Sequence, residues 1–208
     1  MEIIKYPENV MNETFDKHIS QWNNEVRLLL PELPSDLKVE FNNEWLIPEF
    51  GSGGFATSTE KIELAFDMDF EDKDAQMKNL RATYFHECYH VVQGFVGYED
   101  DINISAIDDA ILEGAATKFE MEYAEADPGW SHYPEDEIVL EWVEKIKSLP
   151  QNYDYTKWKF YNPDNNERWI MYKTGVFIVD QALKNSELDI VDLVKMPAKE
   201  ILKLAKLD

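Results

Sequence analysis

Two histidines and a glutamate near the middle of the chain have the spacing of a metal site. His86, Glu87 and His90 form the pattern His-Glu-x-x-His. On an α-helix, positions i and i+4 lie one turn and about 40° apart, so both imidazoles can reach one metal ion. Glu87 is about 60° from His90 on the same side, where its carboxylate can act on a metal-bound water. The spacing therefore predicts a zinc-activated water with a glutamate as general base.

The third ligand must come from elsewhere, because a catalytic zinc usually has three protein ligands. The three-histidine class is excluded, since Gln93 and Val96 stand where that class requires glycine and histidine. A glutamate from the next helix remains, and Glu113 is the best candidate, as the lone acid in the small apolar run 110–116. A buried carboxylate is costly without a partner. His132 is the fallback ligand.

Two further acids lie on roughly the same helical face as Glu113, namely Asp109 and Glu120. Either can orient a ligand histidine through its second ring N–H, and exposed helix acids are the alternative reading. Cys88 lies about 160–200° around the helix from the two histidines, so we expect it in the core rather than on a metal. For the motif as a whole, the alternative is two partly exposed histidines beside a solvated glutamate.

The elements that must position these residues follow from the hydrophobic spacing. A helix over 73–97 carries the motif and ends near Gly94 and Gly97, and a helix over 104–125 carries Glu113. The other predicted helices are 8–30, 135–148, 167–185, 188–195 and 197–206. The predicted strands are 37–41 and 61–67, with a possible third at 45–47 and a turn or flexible loop at 51–59.

These elements predict an α+β fold, with a small, mostly antiparallel sheet followed by a helical part that carries the motif and the third ligand. We expect a single domain over 1–208. Its N-terminal helix and sheet extend to about residue 70, and the helical part covers about 71–208.

The composition limits the classes of function. The 208 residues have a formal net charge of −22 and a pI of about 4.4. This charge argues against binding to nucleic acids or anionic membranes, and a solvated acidic surface explains it most simply. The single cysteine excludes internal disulfides. We expect neither a signal peptide nor a spanning segment, and hence a cytoplasmic protein, whose oligomeric state is open.

Together these residues resemble a bacterial family of predicted zinc-dependent proteases of unknown function, of the gluzincin type, from about residue 40 onward. Besides the sheet and its glycine-rich segment, the resemblance lies in three motifs: His86-Glu87-x-x-His90, Glu113-Gly114-x-Ala116 and Tyr172-x-x-Gly175-x-x-Ile178-Val179. It implies a zincin-like fold, His86, His90 and Glu113 as zinc ligands, and Glu87 as catalytic base. By analogy it makes Tyr172 a candidate oxyanion stabiliser, the alternative being a core tyrosine.

The leading hypothesis is a zinc metallopeptidase that uses Zn²⁺ to hydrolyse a peptide or protein substrate. An extended peptide could pair with an edge strand within 51–66. The alternative is a zincin-fold binding or regulatory protein with little or no proteolytic activity. A third hypothesis is an interaction protein that binds a basic partner through its acidic surface. The spacing leaves endopeptidase, aminopeptidase and carboxypeptidase open.

Overall fold

A computed structural model describes residues 1–7, 12–97 and 104–208. In these ranges the protein is α+β, with seven α-helices, a four-stranded sheet and a two-stranded hairpin. The predicted helix over 8–30 is described from Asn12 to Leu29, and residues 8–11 lie outside the described ranges. The chain forms two compact units, 1–98 with 122–126, and 99–121 with 127–208. That residues 1–208 make a single domain stays a prediction.

The first unit contains a four-stranded sheet and two long helices. Its elements are β1 Glu2–Lys5, α1 Asn12–Leu29, β2 Lys38–Phe41, a 3-10 helix Asn43–Trp45, β3 Ser52–Ser58, β4 Lys61–Phe66 and α2 Lys73–Gln93. The strand order is β1-β2-β4-β3. The α1 helix packs on this sheet through Phe15, whose ring lies 4.9 Å from that of Phe41 and 5.1 Å from that of Phe66.

The sheet is mixed, and the prediction of a mostly antiparallel sheet is wrong. β1 pairs with β2, and β2 with β4, in parallel, whereas β3 alone runs antiparallel to β4. The strand β1, which explains the parallel direction of β2, was not predicted from the sequence. The α1 helix connects β1 to β2, and a helical crossover is the usual connection between parallel neighbours. Alternating polarity marks a half-buried strand but not the direction of its partner.

The glycine-rich segment 51–59 is also different from the prediction, because most of it forms the edge strand β3 rather than a loop. A Cβ on Gly53 would lie 1.9 Å from the carbonyl oxygen of Trp45, and one on Gly54 would lie 2.5 Å from Cγ2 of Thr83. Glycine weakens the strand pattern, yet here it permits close approach of neighbouring atoms. The possible strand at 45–47 is reduced to the end of the 3-10 helix and one isolated bridge, from Ile47 to Ser52.

The second unit is mainly helical. Its elements are α3 Ala106–Tyr123, α4 Asp136–Lys147, α5 Tyr155–Lys159, β5 Tyr161–Asn162, β6 Glu167–Arg168, α6 Ile170–Lys184 and α7 Ala198–Leu204. Instead of the predicted helix over 188–195 there are turns, in which Asp189 Oδ1 accepts hydrogen bonds from the backbone N–H groups of Val191 and Asp192. Such side-chain bonds compete with a helix. None of the described helices has the length and apolar content needed to cross a membrane.

Within this unit, α3 and α6 touch through glycines. A Cβ on Gly114 would lie 2.1 Å from the carbonyl carbon of Gly175, and one on Gly175 would lie 1.7 Å from the carbonyl oxygen of Ala110. No other residue type fits at either position without moving a backbone. This contact fixes the part of α3 that carries Glu113.

Candidate metal centre

The helix α2 begins and ends with defined caps, and the motif occupies its last two turns. Asp72 caps the start, where its side chain accepts a hydrogen bond from the N–H of Ala75 at 2.9 Å. At the other end Gly94 is left-handed, with φ of 79°, and the N–H groups of Gly94 and Phe95 both donate to the carbonyl oxygen of His90. The helix therefore stops one turn after the motif, as predicted.

The two motif histidines face each other. Their Nε2 atoms are 2.9 Å apart, and both side chains are buried, with 8% of His86 and 5% of His90 exposed. Nδ1 of His90 lies 2.8 Å from Oε1 of Gln93. A proton on Nδ1 satisfies that oxygen and leaves the Nε2 lone pair for a metal. This contact was not predicted, although the i+3 spacing of Gln93 from His90 is a signal for it.

Glu87 lies beneath the edge strand of the sheet. It is 6% exposed, and its Cγ would be 3.1 Å from a Cβ on Gly54. Cys88, the next residue, is fully buried, and burial raises the pKa of its thiol. It is therefore a core residue, as predicted. The motif helix thus presents Glu87 to β3 and Cys88 to the interior.

Glu113 is buried on α3, beside an ammonium group that the sequence analysis did not identify. Oε1 of Glu113 lies 2.8 Å from Nζ of Lys159, and Oδ1 of Asp109 lies 2.9 Å from the same nitrogen. Oδ2 of Asp109 accepts a hydrogen bond from the hydroxyl of Tyr153 at 3.0 Å. Two buried carboxylates thus surround one buried cation.

The electrostatics of this cluster keep Lys159 charged at neutral pH. Burial alone would lower the pKa of the ammonium, but the carboxylates of Glu113 and Asp109 outweigh it and hold the pKa well above its usual range. The pKa of Asp109 is raised, because burial outweighs the attraction of Lys159.

Three buried side chains together have the donor atoms of a metal site. One ligand atom each from His86, His90 and Glu113 lie within 4.8 Å of one another. Two imidazole nitrogens and one carboxylate oxygen are the donor set of a catalytic zinc that keeps its fourth position for water. These residues therefore fit zinc.

The comparisons with known proteins agree with this donor set. Residues 8–203 match the family described as "Predicted Zn-dependent protease (DUF2268)". The chain belongs to this family. Neither the curated proteins nor the solved structures contain a match. Zinc dependence and protease activity are thus both predictions in the family's description.

The remaining candidate residues lie outside the group of His86, His90 and Glu113. Glu120 is buried, and its Oε1 accepts a hydrogen bond from Nε1 of Trp130 at 3.2 Å. A role for Glu120 or Asp109 in orienting a ligand histidine stays a prediction. His132, the fallback ligand, is outside the three-residue group and lies at the surface, 2.7 Å from Asp127.

Tyr172 lies in the first turn of α6, near the ammonium group of Lys159. Its ring centroid is 5.9 Å from Nζ of Lys159 and 6.0 Å from the ring of Trp130. The side chain is partly exposed. It is therefore neither a fully buried core tyrosine nor a surface residue, and its role at an oxyanion stays a prediction.

Proposed function

We propose that the protein is a zinc metallopeptidase that hydrolyses peptide bonds, with a zincin-like fold. The observation that carries the proposal is the group of His86, His90 and Glu113, buried and with ligand atoms within 4.8 Å. Membership in a family described as predicted Zn-dependent proteases supports it. In this proposal the two imidazoles and the carboxylate hold Zn²⁺. When bound, the zinc lowers the pKa of a water and polarises the scissile carbonyl.

Glu87 is the general base in this mechanism. Its carboxylate accepts a proton from the attacking water while the new C–O bond forms, and it then gives that proton to the leaving nitrogen as the C–N bond breaks. Burial and the cover of β3 keep bulk water from competing for this carboxylate. Tyr172 is the proposed hydroxyl donor to the developing oxyanion, which needs a donor prepositioned before the reaction.

The substrate would bind as an extended strand along β3. The carbonyl oxygens of Ser52 and Ala56 point away from β4, where they accept hydrogen bonds from the N–H groups of Ile47 and Gly97. Backbone groups of an antiparallel strand change sides at each residue, so the N–H and C=O of Gly54 also face away from β4. Within the described residues, neither group has a backbone partner.

Gly54 is therefore the position where an incoming peptide backbone would add to the sheet. The same residue lies next to Cγ of Glu87, so a peptide paired there would pass close to the general base. This geometry favours a substrate that is extended and unfolded over the part near the scissile bond. It does not discriminate between endopeptidase and exopeptidase activity.

The decisive experiment combines metal analysis with cleavage of a proteome-derived peptide library. Wild-type protein is expected to contain one zinc per chain and to cleave a subset of peptides. Glu87→Gln keeps the zinc and loses hydrolysis, because the amide cannot accept the proton. Glu137→Gln, an exposed change on α4, is the matched control and keeps both.

Two results would contradict parts of this proposal. Hydrolysis that survives Glu87→Gln would exclude Glu87 as the base. One zinc per chain without cleavage of any peptide would favour the alternative of a zincin-fold binding protein.

A further inference from the structure

A fully buried lysine holds the carboxylate that the proposed function assigns to zinc. Lys159 is the last residue of α5 and is 2% exposed. Lysine is almost never buried to this extent unless it is paired. Its Nζ lies 2.8 Å from Oε1 of Glu113 and 2.9 Å from Oδ1 of Asp109. The ring of Tyr155 lies 4.6 Å from the same nitrogen.

The contact with Glu113 involves one carboxylate oxygen, Oε1. A carboxylate that ligates a metal through one oxygen must be oriented through the other, or it rotates away from the ligand position. Lys159 supplies that orientation, because its ammonium is fixed at the same time by Asp109 and by the aromatic face of Tyr155.

Asp109 is held from two sides. Besides Lys159, it accepts the hydroxyl of Tyr153 at Oδ2, at 3.0 Å. Both of its oxygens are thus engaged within the second compact unit. Asp109 is not among the three residues of the metal group, so it anchors the lysine, whereas Glu113 is the carboxylate that the lysine positions.

We propose that Lys159 is a positioning residue for the metal site, which fixes Glu113 as a ligand through one oxygen. This inference rests on the proposed function, since it requires Glu113 to bind zinc. It assigns no proton transfer to Lys159. Its consequence is that Lys159 controls the affinity and the coordination geometry of the metal without being a ligand.

The test measures zinc affinity by competition with a chromophoric chelator, on full-length protein stripped of metal and reloaded. Lys159→Met keeps an unbranched side chain, one atom shorter, and removes the ammonium. We expect its zinc dissociation constant to rise about 10- to 100-fold, the range for loss of an outer partner of a ligand. Lys157→Met on the same helix, whose lysine pairs with the exposed Asp164, is the control and stays within about threefold of wild type.

A second readout separates positioning from general stability. Cobalt(II) in place of zinc gives visible absorption bands that depend on coordination geometry. Lys159→Met is expected to shift these bands. Asp109→Asn removes one ion pair that anchors Lys159 but keeps the shape of the side chain, so we expect its bands and zinc affinity to shift in the same direction, by less than those of Lys159→Met. A merely structural lysine would lower the melting temperature in both variants and leave the bands of both unchanged.

If Lys159→Met does not fold, Lys159→Arg is measured in its place. Its guanidinium keeps the charge but presents a planar fork, so it preserves the ion pairs and moves the carboxylate. The inference predicts a folded protein with shifted cobalt bands and weaker zinc binding.

Two outcomes overturn the inference, and they are distinguishable. If wild-type protein binds one zinc that His86→Ala removes, yet the Lys159 variant that folds matches wild type in affinity and cobalt bands, the positioning role fails alone. If wild-type protein binds no zinc, the proposed function fails and the inference fails with it.

Discussion

Nδ1 of His90 lies 2.8 Å from Oε1 of Gln93, one helical turn further along α2. An amide oxygen only accepts hydrogen bonds, so this contact places the proton of the imidazole on Nδ1 and directs the Nε2 lone pair to the opposite side. Nε2 is the atom that faces His86 across 2.9 Å. The residue that excludes the three-histidine class by its identity thus fixes the tautomer of the second histidine.

Replacing Gln93 by leucine should therefore weaken zinc binding. Leucine has a similar volume but no acceptor, so the His90 ring loses its orientation, and we expect the zinc dissociation constant to rise about 10- to 100-fold. Chelator competition on metal-stripped protein measures this change. Gln93→Glu keeps an acceptor at the same position and should bind zinc at least as tightly as wild type. Equal affinity of the leucine and wild-type proteins would show that Gln93 does not orient the ligand.

The second prediction concerns the contact of Gly54 with the motif helix. Gly54→Ala would bring a methyl group to 2.5 Å from Cγ2 of Thr83 and 3.1 Å from Cγ of Glu87. Such overpacking typically costs about 1–3 kcal/mol of unfolding free energy. Urea unfolding measures this loss. Hydrolysis should fall as well, because Glu87 must move, whereas zinc stays bound.

A second change in the same contact is the control. Thr83→Ser removes Cγ2 and keeps the hydroxyl, which donates to the carbonyl oxygen of Asn79 at 3.0 Å. The double variant Gly54→Ala with Thr83→Ser should recover most of the lost stability. If the alanine costs the same with serine or threonine at position 83, the clash with Cγ2 is not its cause.

A helix could be predicted from the sequence where several signals in the sequence agree. In α2 the cap at Asp72, the apolar spacing and Gly94 all indicate the same helix. Both the helix and the position of the motif on it could therefore be predicted. The sheet could not be predicted in the same way. Strand direction depends on a crossover that includes β1, which is only four residues long, and the edge strand begins with Ser52-Gly53-Gly54, which reads as a turn.

Some residues of the candidate site could be predicted from the sequence, and others could not. His86, Glu87 and His90 lie within five residues, where helix geometry alone determines their arrangement. Glu113 could be proposed because an isolated acid in an apolar run needs a partner. The identity of that partner could not be predicted, since Lys159 is 46 residues away in a short helix within an aromatic, turn-rich stretch. Long-range ion pairs leave no periodic signal in a sequence.

The final prediction uses a buried carboxylate in the sheet, away from the motif. Oε2 of Glu63 accepts hydrogen bonds from Asn42 and Trp45, both at 2.9 Å, and its Oε1 lies 2.8 Å from Nζ of Lys61. Burial alone would raise the pKa of Glu63, but Lys61 and the two hydrogen bonds outweigh it and hold the pKa below its usual 4.5. Ionised Glu63 therefore stabilises the folded state.

The sign of the pH dependence follows from this lowered pKa. The stabilisation is fully present above the unfolded pKa of about 4.5 and is lost as the pH falls through the lower, folded pKa. Glu63→Gln cannot ionise, so we expect it to be about 1–3 kcal/mol less stable than wild type at pH 7. This difference in unfolding free energy between the two proteins should narrow below about pH 4.5.

Urea unfolding at steps from neutral to acid pH measures the gap between the two proteins. A chelator in every sample keeps the release of metal at low pH from contributing. Glu60→Gln, in the exposed turn between β3 and β4, is the matched control and should differ from wild type by less than about 0.5 kcal/mol throughout. A Glu63→Gln gap that is constant, or that widens as the pH falls, would mean that the Glu63 carboxylate is not held ionised by Lys61, Trp45 and Asn42.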